Sequence, residues 1–498
     1  MCEVKKTGSY PIQSSEYTPH TSQSPVFPVE KNTSPLPKYI RAVKDSRESS
    51  ISGRTVVVCL DGTGDKFDSD NSNVVHFVSC LKKHESAKQV TYYQAGIGTY
   101  GKGGLQNGIG AALDMAVGSG LGIHIKDAYK FLMQNYRDGD RICLFGFSRG
   151  AYTVRCLAGM LHKVGLLPAS NGAQVNFAFK FYKDDTPEGW KMSAEFKKTF
   201  CTNVNVYFLG VWDCVASVGF IPRKLPFSKS PTNSIHHFRH AMALDEHRAK
   251  FKVCQWQQDD PDNPAYDTTR KEHHKVQTDV LEVWFMGAHA DVGGGAVANE
   301  CRHMLSRIPL RWMIRQCFEC DTGILFDPAS LAEQGLDIFS LWPTYQPSSN
   351  PSLGPPPSLM EKYETGTELT LQRRSTLLTD RSNSSPIKST FASRDSGYQN
   401  LALLSESNED HFDALSSVND QLVEAKGWWV LEFWPIKVHL LTADGESWEK
   451  KVRMNMGRHR AIRQTEPIMH WTVKHMVDQG RYTVKGRVDR NTTWQVLT

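Results

Sequence analysis

Short apolar runs alternate with amphipathic segments along much of this sequence. Five apolar runs have the length and composition of buried strands: residues 55–60, 89–94, 142–145, 204–212 and 280–286. Apolar positions with helical spacing lie between or after them, in residues 73–83, 121–136, 151–164, 236–251 and 300–318. Strands that alternate with helices indicate the α/β class, with a doubly wound and mostly parallel sheet.

The composition divides the 498-residue chain into four parts. Residues 1–52 and 346–410 are rich in Ser, Thr and Pro, and such segments cannot bury enough apolar surface to fold. We therefore predict a disordered N-terminal tail and a disordered insert. The alternating pattern fills residues 53–345, which we expect to form the α/β domain. Residues 411–498 regain apolar and aromatic positions and are expected to pack back onto that domain.

Charge and cysteine usage limit the classes of function. The formal net charge is only +5 and the basic residues are scattered, so nothing favours binding to nucleic acid. The 11 cysteines are odd in number and irregularly spaced, which is typical of a reducing compartment. The N-terminus has no apolar stretch of the signal-peptide kind. We expect a cytoplasmic protein.

The most informative motif is Gly146-Phe147-Ser148-Arg149-Gly150, a G-x-S-x-G pentapeptide. It follows a predicted buried strand and precedes a predicted helix. In that context the serine occupies a tight, strained turn with its hydroxyl exposed above the sheet edge, and the glycines avoid collisions with neighbouring backbone. The pattern predicts that Ser148 is a catalytic nucleophile.

A nucleophilic serine needs a base and a carboxylate that orients the base. In hydrolases with this turn they follow the serine as Asp or Glu and then His. Asp213 and His289 have this order, and each comes directly after a predicted strand. We therefore interpret His289 as the general base and Asp213 as the residue that fixes its tautomer.

Other residues compete for these roles. Asp245 with His240 or His247 is an alternative set, but all three fall on one predicted helix and suit a site at strand ends less well. Asp291 could orient His289 locally.

The oxyanion of an acyl-transfer intermediate needs backbone N–H donors. Gly62 and Thr63 follow the first predicted strand, and Arg149 follows the serine at the start of its helix. These three residues are the predicted donors. The alternative for residues 61–63 is an ordinary Asp-initiated turn.

No motif requires a cofactor or a metal. Gly96, Gly98 and Gly101 have the spacing of a dinucleotide-binding fingerprint, but a second glycine-rich run follows them instead of a clean helix. Cys317 and Cys320 form a C-x-x-C pair that no second pair completes.

Together these residues resemble a known family, the α/β-hydrolase-like domain whose bacterial members include type VI secretion phospholipase effectors. The matching stretches are residues 60–63, 146–151, 210–213, 239–246 and 284–295. The resemblance covers about residues 54–345 and implies Ser148, Asp213 and His289 as the triad. The chain differs from the family at Cys214, where Thr or Ser is more usual, and in its long insert. Its length and insert favour a eukaryotic, fungal member.

The combined interpretation is a serine hydrolase that cleaves carboxylic esters, with phospholipids as one substrate class. The alternative is a non-catalytic protein that keeps the fold and recruits partners through its insert. Two features favour a peripheral membrane surface. Residues 103–123 are glycine-rich and apolar and could form a mobile cover over the site, and Trp428, Trp429 and Trp434 suit a lipid interface unless they pack on the core.

Overall fold

The computed structural model describes residues 36–46, 53–83, 85–96, 109–216, 225, 234–256, 277–347, 354–364 and 405–497. Most of the predicted tail and insert lies outside these residues. So do residues 97–108, which contain the first part of the predicted cover.

A parallel sheet forms the centre of the fold. The strands of the described residues are β1 (Ile40–Arg41), β2 (Thr55–Leu60), β3 (Gln89–Gln94), β4 (Arg141–Phe147), β5 (Val206–Trp212), β6 (Ile235–Ala243), β7 (Asp279–Phe285), β8 (Leu325–Phe326), β9 (Pro435–Leu441), β10 (Trp448–Met454), β11 (Ile468–His470) and β12 (Gln495–Leu497). Eight of them form one sheet in the order β12-β11-β7-β6-β5-β4-β2-β3, and every neighbouring pair is parallel. Pairs β1–β8 and β9–β10 are separate and antiparallel. The predicted α/β class is confirmed.

Helices cover both faces of this sheet. They are α1 (Asn73–Cys80), α2 (Ile109–Asn135), α3 (Ser148–Val164), α4 (Val175–Lys183), α5 (Pro187–Phe200), α6 (His289–Gly293), α7 (Arg307–Glu319), α8 (Pro328–Glu333), α9 (Ile338–Leu341), α10 (Pro357–Glu364), α11 (Glu406–Ala414), α12 (Gln421–Glu424), α13 (Trp429–Glu432) and α14 (Trp471–Asp478). Within the described ranges, no helix combines the length and the apolar character that crossing a bilayer requires.

The core has two halves because successive strand side chains point to opposite faces. Val57 of β2 belongs to the apolar cluster that contains Phe77 of α1. Val56, one position earlier, belongs to the cluster that contains Leu157 of α3. All of β2 is buried, which explains why it is apolar throughout instead of alternating.

Buried ion pairs join the segment after the insert to the core. Arg311 of α7 donates from Nε to Asp410 of α11 at 2.8 Å, and Arg315 binds Glu406 of the same helix from Nη2 at 2.7 Å. Their guanidinium and carboxylate groups are all at least nine-tenths buried. Helix α11 therefore belongs to the folded body, although Glu406 and Asp410 fall inside the segment predicted as an insert.

The structure differs from the sequence-based elements in three places. Residues 236–251 were expected to be helical, but Ile235–Ala243 is the central strand β6. Helix α2 begins at Ile109, so much of the predicted cover over residues 103–123 is helix. Residues 36–46, assigned to the disordered tail, include strand β1, which pairs with β8.

Candidate active site

The backbone at Ser148 has the conformation of a strained turn. Its φ is +57°, in the left-handed region that residues other than glycine seldom occupy. Strand β4 ends at Phe147 and helix α3 begins at Ser148 without an intervening loop. A Cβ on Gly150 would lie 2.2 Å from the carbonyl oxygen of Leu60, and one on Gly146 would lie 2.7 Å from the nitrogen of Ala151. The two glycines of the motif are therefore required by the close approach of α3 to the strands.

The three residues predicted as a triad lie together at the carboxyl ends of the strands. Ser148 Oγ is 2.8 Å from His289 Nε2, and His289 Nδ1 is 2.5 Å from Asp213 Oδ2. Ser148 follows β4, Asp213 follows β5 and His289 begins α6 shortly after β7, so parallel strand ends bring residues distant in sequence to one edge. All three side chains are buried.

Besides His289, Arg460 and a backbone N–H also hydrogen-bond to Asp213. Arg460 donates to both carboxylate oxygens, from Nη1 at 2.6 Å and from Nη2 at 2.8 Å, and the backbone N–H of Ala243 donates to Oδ1 at 3.0 Å. Burial alone raises the pKa of Asp213, but Arg460 and His289 outweigh it and hold that pKa well below its ordinary value. The carboxylate therefore stays ionised. The sequence analysis missed Arg460, because no motif marks a residue so far from Asp213 in the chain.

The imidazole of His289 is shielded from water. Burial lowers the pKa of His289 below its ordinary value, and the hydrogen bond to Asp213 opposes this without reversing it. The ring centroid lies 4.6 Å from that of Phe147 and 4.8 Å from that of Phe251. His289 is consequently neutral at neutral pH, as a general base must be.

A short loop after β6 supports the histidine. The backbone N–H of His289 donates to Glu246 Oε2 at 3.3 Å, and Arg248 binds the same carboxylate at 2.7 Å. The Arg248 guanidinium also lies 3.5 Å from the centroid of the Phe251 ring and 4.8 Å from that of Trp428. The loop and the C-terminal segment therefore form one continuous wall beside the site.

Of the predicted oxyanion donors, Gly62 and Arg149 differ in whether their N–H groups are already engaged. The Gly62 N–H donates to Asp61 Oδ1 at 2.9 Å. Asp61 also accepts from Ser72 Oγ at 2.7 Å and Tyr93 OH at 2.9 Å, so it organises this turn. Arg149 lies in the first turn of α3, where N–H groups have no acceptor within the helix.

The competing histidines are engaged elsewhere. His240 lies on β6, where Nε2 accepts from the Cys214 N–H at 3.1 Å and Nδ1 is 2.9 Å from Glu282 Oε1. His247 Nε2 is 2.8 Å from Asp420 Oδ1. Each of these histidines therefore connects separate segments of the chain.

The competing carboxylates also stabilise backbone. Asp245 Oδ2 accepts from the Gly287 N–H at 2.7 Å. Asp291 accepts from the Ala288 N–H at 2.8 Å and from Asn419 Nδ2 at 2.6 Å. Asp213, rather than Asp291, is the carboxylate bonded to the imidazole of His289.

One group of potential metal ligands occurs among the described residues. His237, Asp279 and Cys320 have ligand atoms within 4.8 Å of one another. Arg239 donates to Asp279 Oδ2 at 2.5 Å and approaches Cys320 Sγ at 3.1 Å. The guanidinium of Arg239 therefore supplies, beside Asp279 and Cys320, the positive charge that a metal ion would bring.

The chain matches one family model and is similar to two known proteins. The family model described as "T6SS, Phospholipase effector Tle1-like, catalytic domain" matches residues 54–316. The Saccharomyces cerevisiae protein named "Uncharacterized protein YEL023C" is 25% identical over 569 aligned residues, which cover 87% of this chain and 80% of that protein. A solved structure, "Crystal structure of an uncharacterized protein from Pseudomonas aeruginosa", aligns at 16% identity and a TM-score of 0.35 over 77% of this chain. The aligned region is 65% of that solved chain, slightly less than two thirds of its length.

Proposed function

Since the chain belongs to the family of Tle1-like phospholipase effector catalytic domains, we propose that it is a serine hydrolase that cleaves the carboxylic esters of phospholipids. Family membership makes it a hydrolase of the lipase or esterase type. The observation that carries the finer proposal is the 2.8 Å hydrogen bond between Ser148 Oγ and His289 Nε2 at a strained strand-to-helix turn. This contact activates a serine hydroxyl that is otherwise a weak nucleophile.

In the proposed reaction, Ser148 Oγ attacks the ester carbonyl carbon while His289 Nε2 takes its proton. The tetrahedral intermediate collapses to an acyl-enzyme, and the leaving alcohol receives that proton from His289. A water molecule, deprotonated by the same nitrogen, then releases the fatty acid and restores Ser148. Asp213 stabilises the transient imidazolium, and the guanidinium of Arg460 keeps Asp213 ionised and fixed.

The negative charge on the carbonyl oxygen needs donors beside the serine. The first turn of α3 supplies the N–H of Arg149 and the positive end of a helix dipole. Thr63, in the turn that Asp61 organises, is the proposed second donor. Because the Gly62 N–H already donates to Asp61, we leave Gly62 out of this role.

We further propose that the enzyme works at a lipid surface. Val423, Trp429, Val430, Phe433 and Trp434 are exposed on the short segments after residue 420, with Val430 at 74% and Phe433 and Trp434 at 52%. We call these five residues the apolar patch. Trp428, between them in sequence, packs against Phe251, which contacts His289. The patch is thus connected to the site, and aromatic side chains of this kind favour a membrane interface.

Labelling by a fluorophosphonate probe tests the catalytic assignment, because such probes react with activated serines. The wild-type chain should be labelled and should release fatty acid from phospholipid vesicles, whereas Ser148→Ala should do neither and keep its melting temperature. A Ser193→Ala variant is the matched control, since Ser193 is a buried serine of α5 that is not part of the candidate triad. Equal labelling of wild type and Ser148→Ala would refute the assignment. Absence of labelling in wild type would favour the non-catalytic alternative.

A further inference from the structure

A basic pocket lies next to the site, between the loop after β6 and the segment that contains β9 and β10. Its volume is about 150 Å³, a size that can hold a benzene-sized group. We call it the basic pocket and use six of its lining residues: Lys252, His439, Arg458, His459, Arg463 and Arg487.

The basic side chains of this pocket are only partly balanced by carboxylates: Arg248 is paired with Glu246, and Arg460 with Asp213. None of the side chains that line it is a carboxylate. Within the described ranges, the ion pairs do not include Arg458, Arg463 or Arg487. The guanidinium of Arg487 donates to the backbone carbonyls of His459 and His439, at 2.8 and 2.9 Å, and these neutral acceptors leave its charge in place.

Burial and, after it, nearby positive charge lower the pKa values of one histidine and one arginine of the pocket. Burial, followed by the charges of Arg463 and Lys252, lowers the pKa of His439 to about 4. Burial and the neighbouring Arg458 also lower the pKa of Arg487. Several cations are therefore held close together in a setting that favours a bound anion.

Two buried nitrogen atoms of the lining have no hydrogen-bond partner among the described residues. They are Nδ1 of His459 and Nε2 of Gln255. A buried polar nitrogen without a partner costs free energy, so such atoms suggest that a ligand or water completes the site. An anion with several acceptor oxygens would suit both the nitrogens and the arginines.

The basic pocket adjoins the catalytic residues on their carboxylate side. Arg460 lines the pocket and holds Asp213. Phe251 also lines the pocket and contacts the His289 ring. A substrate bound at Ser148 would therefore lie close to this positively charged cavity.

We propose that the basic pocket binds the phosphate group of the lipid substrate, an inference that rests on the proposed function. A glycerophospholipid carries its phosphate on the same short glycerol backbone as its carboxylic esters. A phosphate site beside the serine therefore selects glycerophospholipids over neutral lipids with identical acyl chains. Arginine is the suitable residue, because its planar guanidinium binds phosphate oxygens through paired hydrogen bonds.

The test compares phosphatidic acid with diacylglycerol of the same acyl chains in mixed detergent micelles. Arg463→Gln and Lys252→Gln are the test variants, since both side chains are exposed at the pocket mouth, and Lys198→Gln on α5 is the control. We expect the wild type to prefer phosphatidic acid in kcat/KM. That preference should fall about tenfold in each test variant, the loss of one charge-assisted contact, and should persist in the control. A preference that survives in both test variants would overturn the proposal.

A second experiment distinguishes a failure of the pocket proposal from a failure of the proposed function. It also distinguishes a lipid phosphate from a free phosphate as the ligand. Inorganic phosphate is titrated into wild type and Arg463→Gln by calorimetry, and the fluorophosphonate probe is used on both. If the probe labels Ser148 but neither lipid is hydrolysed, the lipid function fails while phosphate binding still reports on the pocket. Binding of phosphate that Arg463→Gln weakens, without any lipid preference, would assign the pocket to a soluble phosphate and overturn the lipid proposal. No binding and no preference in wild type would overturn the site altogether.

Discussion

Arg460 holds both carboxylate oxygens of Asp213, at 2.6 and 2.8 Å, although 247 positions separate the two residues. The contact makes the C-terminal segment part of the candidate active site. Arg460 also donates to the backbone carbonyls of Ala243 and Phe251, at 2.9 and 2.6 Å, so it fixes the loop that supports His289. Because Arg460 contacts Asp213 rather than Ser148 Oγ, we propose that it is a positioning residue.

Replacing Arg460 by Met should lower kcat/KM by about 10²-fold, because a small displacement of the orienting carboxylate misplaces the imidazole. The acidic limb of the pH–rate profile should also move to higher pH, since loss of a nearby cation favours the imidazolium form of His289. Arg460→Lys keeps the charge and should recover part of both effects. A variant that loses activity through unfolding alone would leave the pH profile of its residual activity unchanged.

The pH dependence of the wild type follows from His289. The imidazole must be neutral to accept the serine proton, so activity should fall as the pH decreases through its pKa. Because burial lowers that pKa, the midpoint should lie below the ordinary value of about 6.5. Steady-state kcat/KM on a soluble ester between pH 4 and 9 measures it. A midpoint above 6.5 would contradict the shielded environment of His289.

The sequence predicted the sheet well because its strands are buried on both faces and read as apolar runs. Strand β6 was assigned to a helix instead. Its residues include Arg239, Ala241 and Met242, which favour helices in isolation, but burial between β5 and β7 outweighs that preference. The misassignment also placed His240 and His247 on one helix, and the structure separates them into a strand and a loop.

The order of chemical groups along the chain was more informative than any single element. Ser148, Asp213 and His289 each follow a strand of one parallel sheet, so their convergence could be anticipated from topology. Their catalytic roles remain predictions. Arg460 could not be anticipated, because it does not follow a strand of the parallel sheet, and only the three-dimensional path of the C-terminal segment brings it to Asp213.

Stability should depend on the buried ion pairs between α7 and α11. Arg311 is 1% exposed and binds both Asp410 and Asp413. Arg311→Ala would leave these carboxylates buried without their counter-charge and should lower the free energy of unfolding by about 3–5 kcal/mol. Denaturant unfolding measures the change. Lys451→Ala, which removes an exposed ion pair with Glu449, should change stability by less than about 1 kcal/mol. Similar losses in both variants would contradict this reading of the α7–α11 contact.

The segment between α10 and α11 should be dispensable for chemistry. Residues 365–404 connect Glu364 to the start of α11, and the residues that form the candidate site all lie outside them. Replacing 365–404 by a short Gly/Ser linker should leave kcat/KM on a soluble ester unchanged. Reduced turnover by a variant with wild-type melting temperature would assign this segment to the site.

The apolar patch provides the test of action at a lipid surface. Phe433→Ser with Trp434→Ser removes two exposed aromatic side chains. Burial of each in a bilayer interface would contribute a binding free energy on the order of 1–3 kcal/mol. We therefore expect binding to phospholipid vesicles, measured by sedimentation, to weaken by at least about tenfold. Hydrolysis of a monomeric soluble ester should stay at the wild-type rate, because these half-exposed side chains lie on the surface while the triad is buried. Phe177→Ser is the matched control, since Phe177 is 54% exposed on α4, a separate helix.

Vesicle binding that is equal in wild type and the double variant would rule out the patch as the membrane contact. Loss of activity on the soluble ester would show instead that the patch supports the site from within the protein.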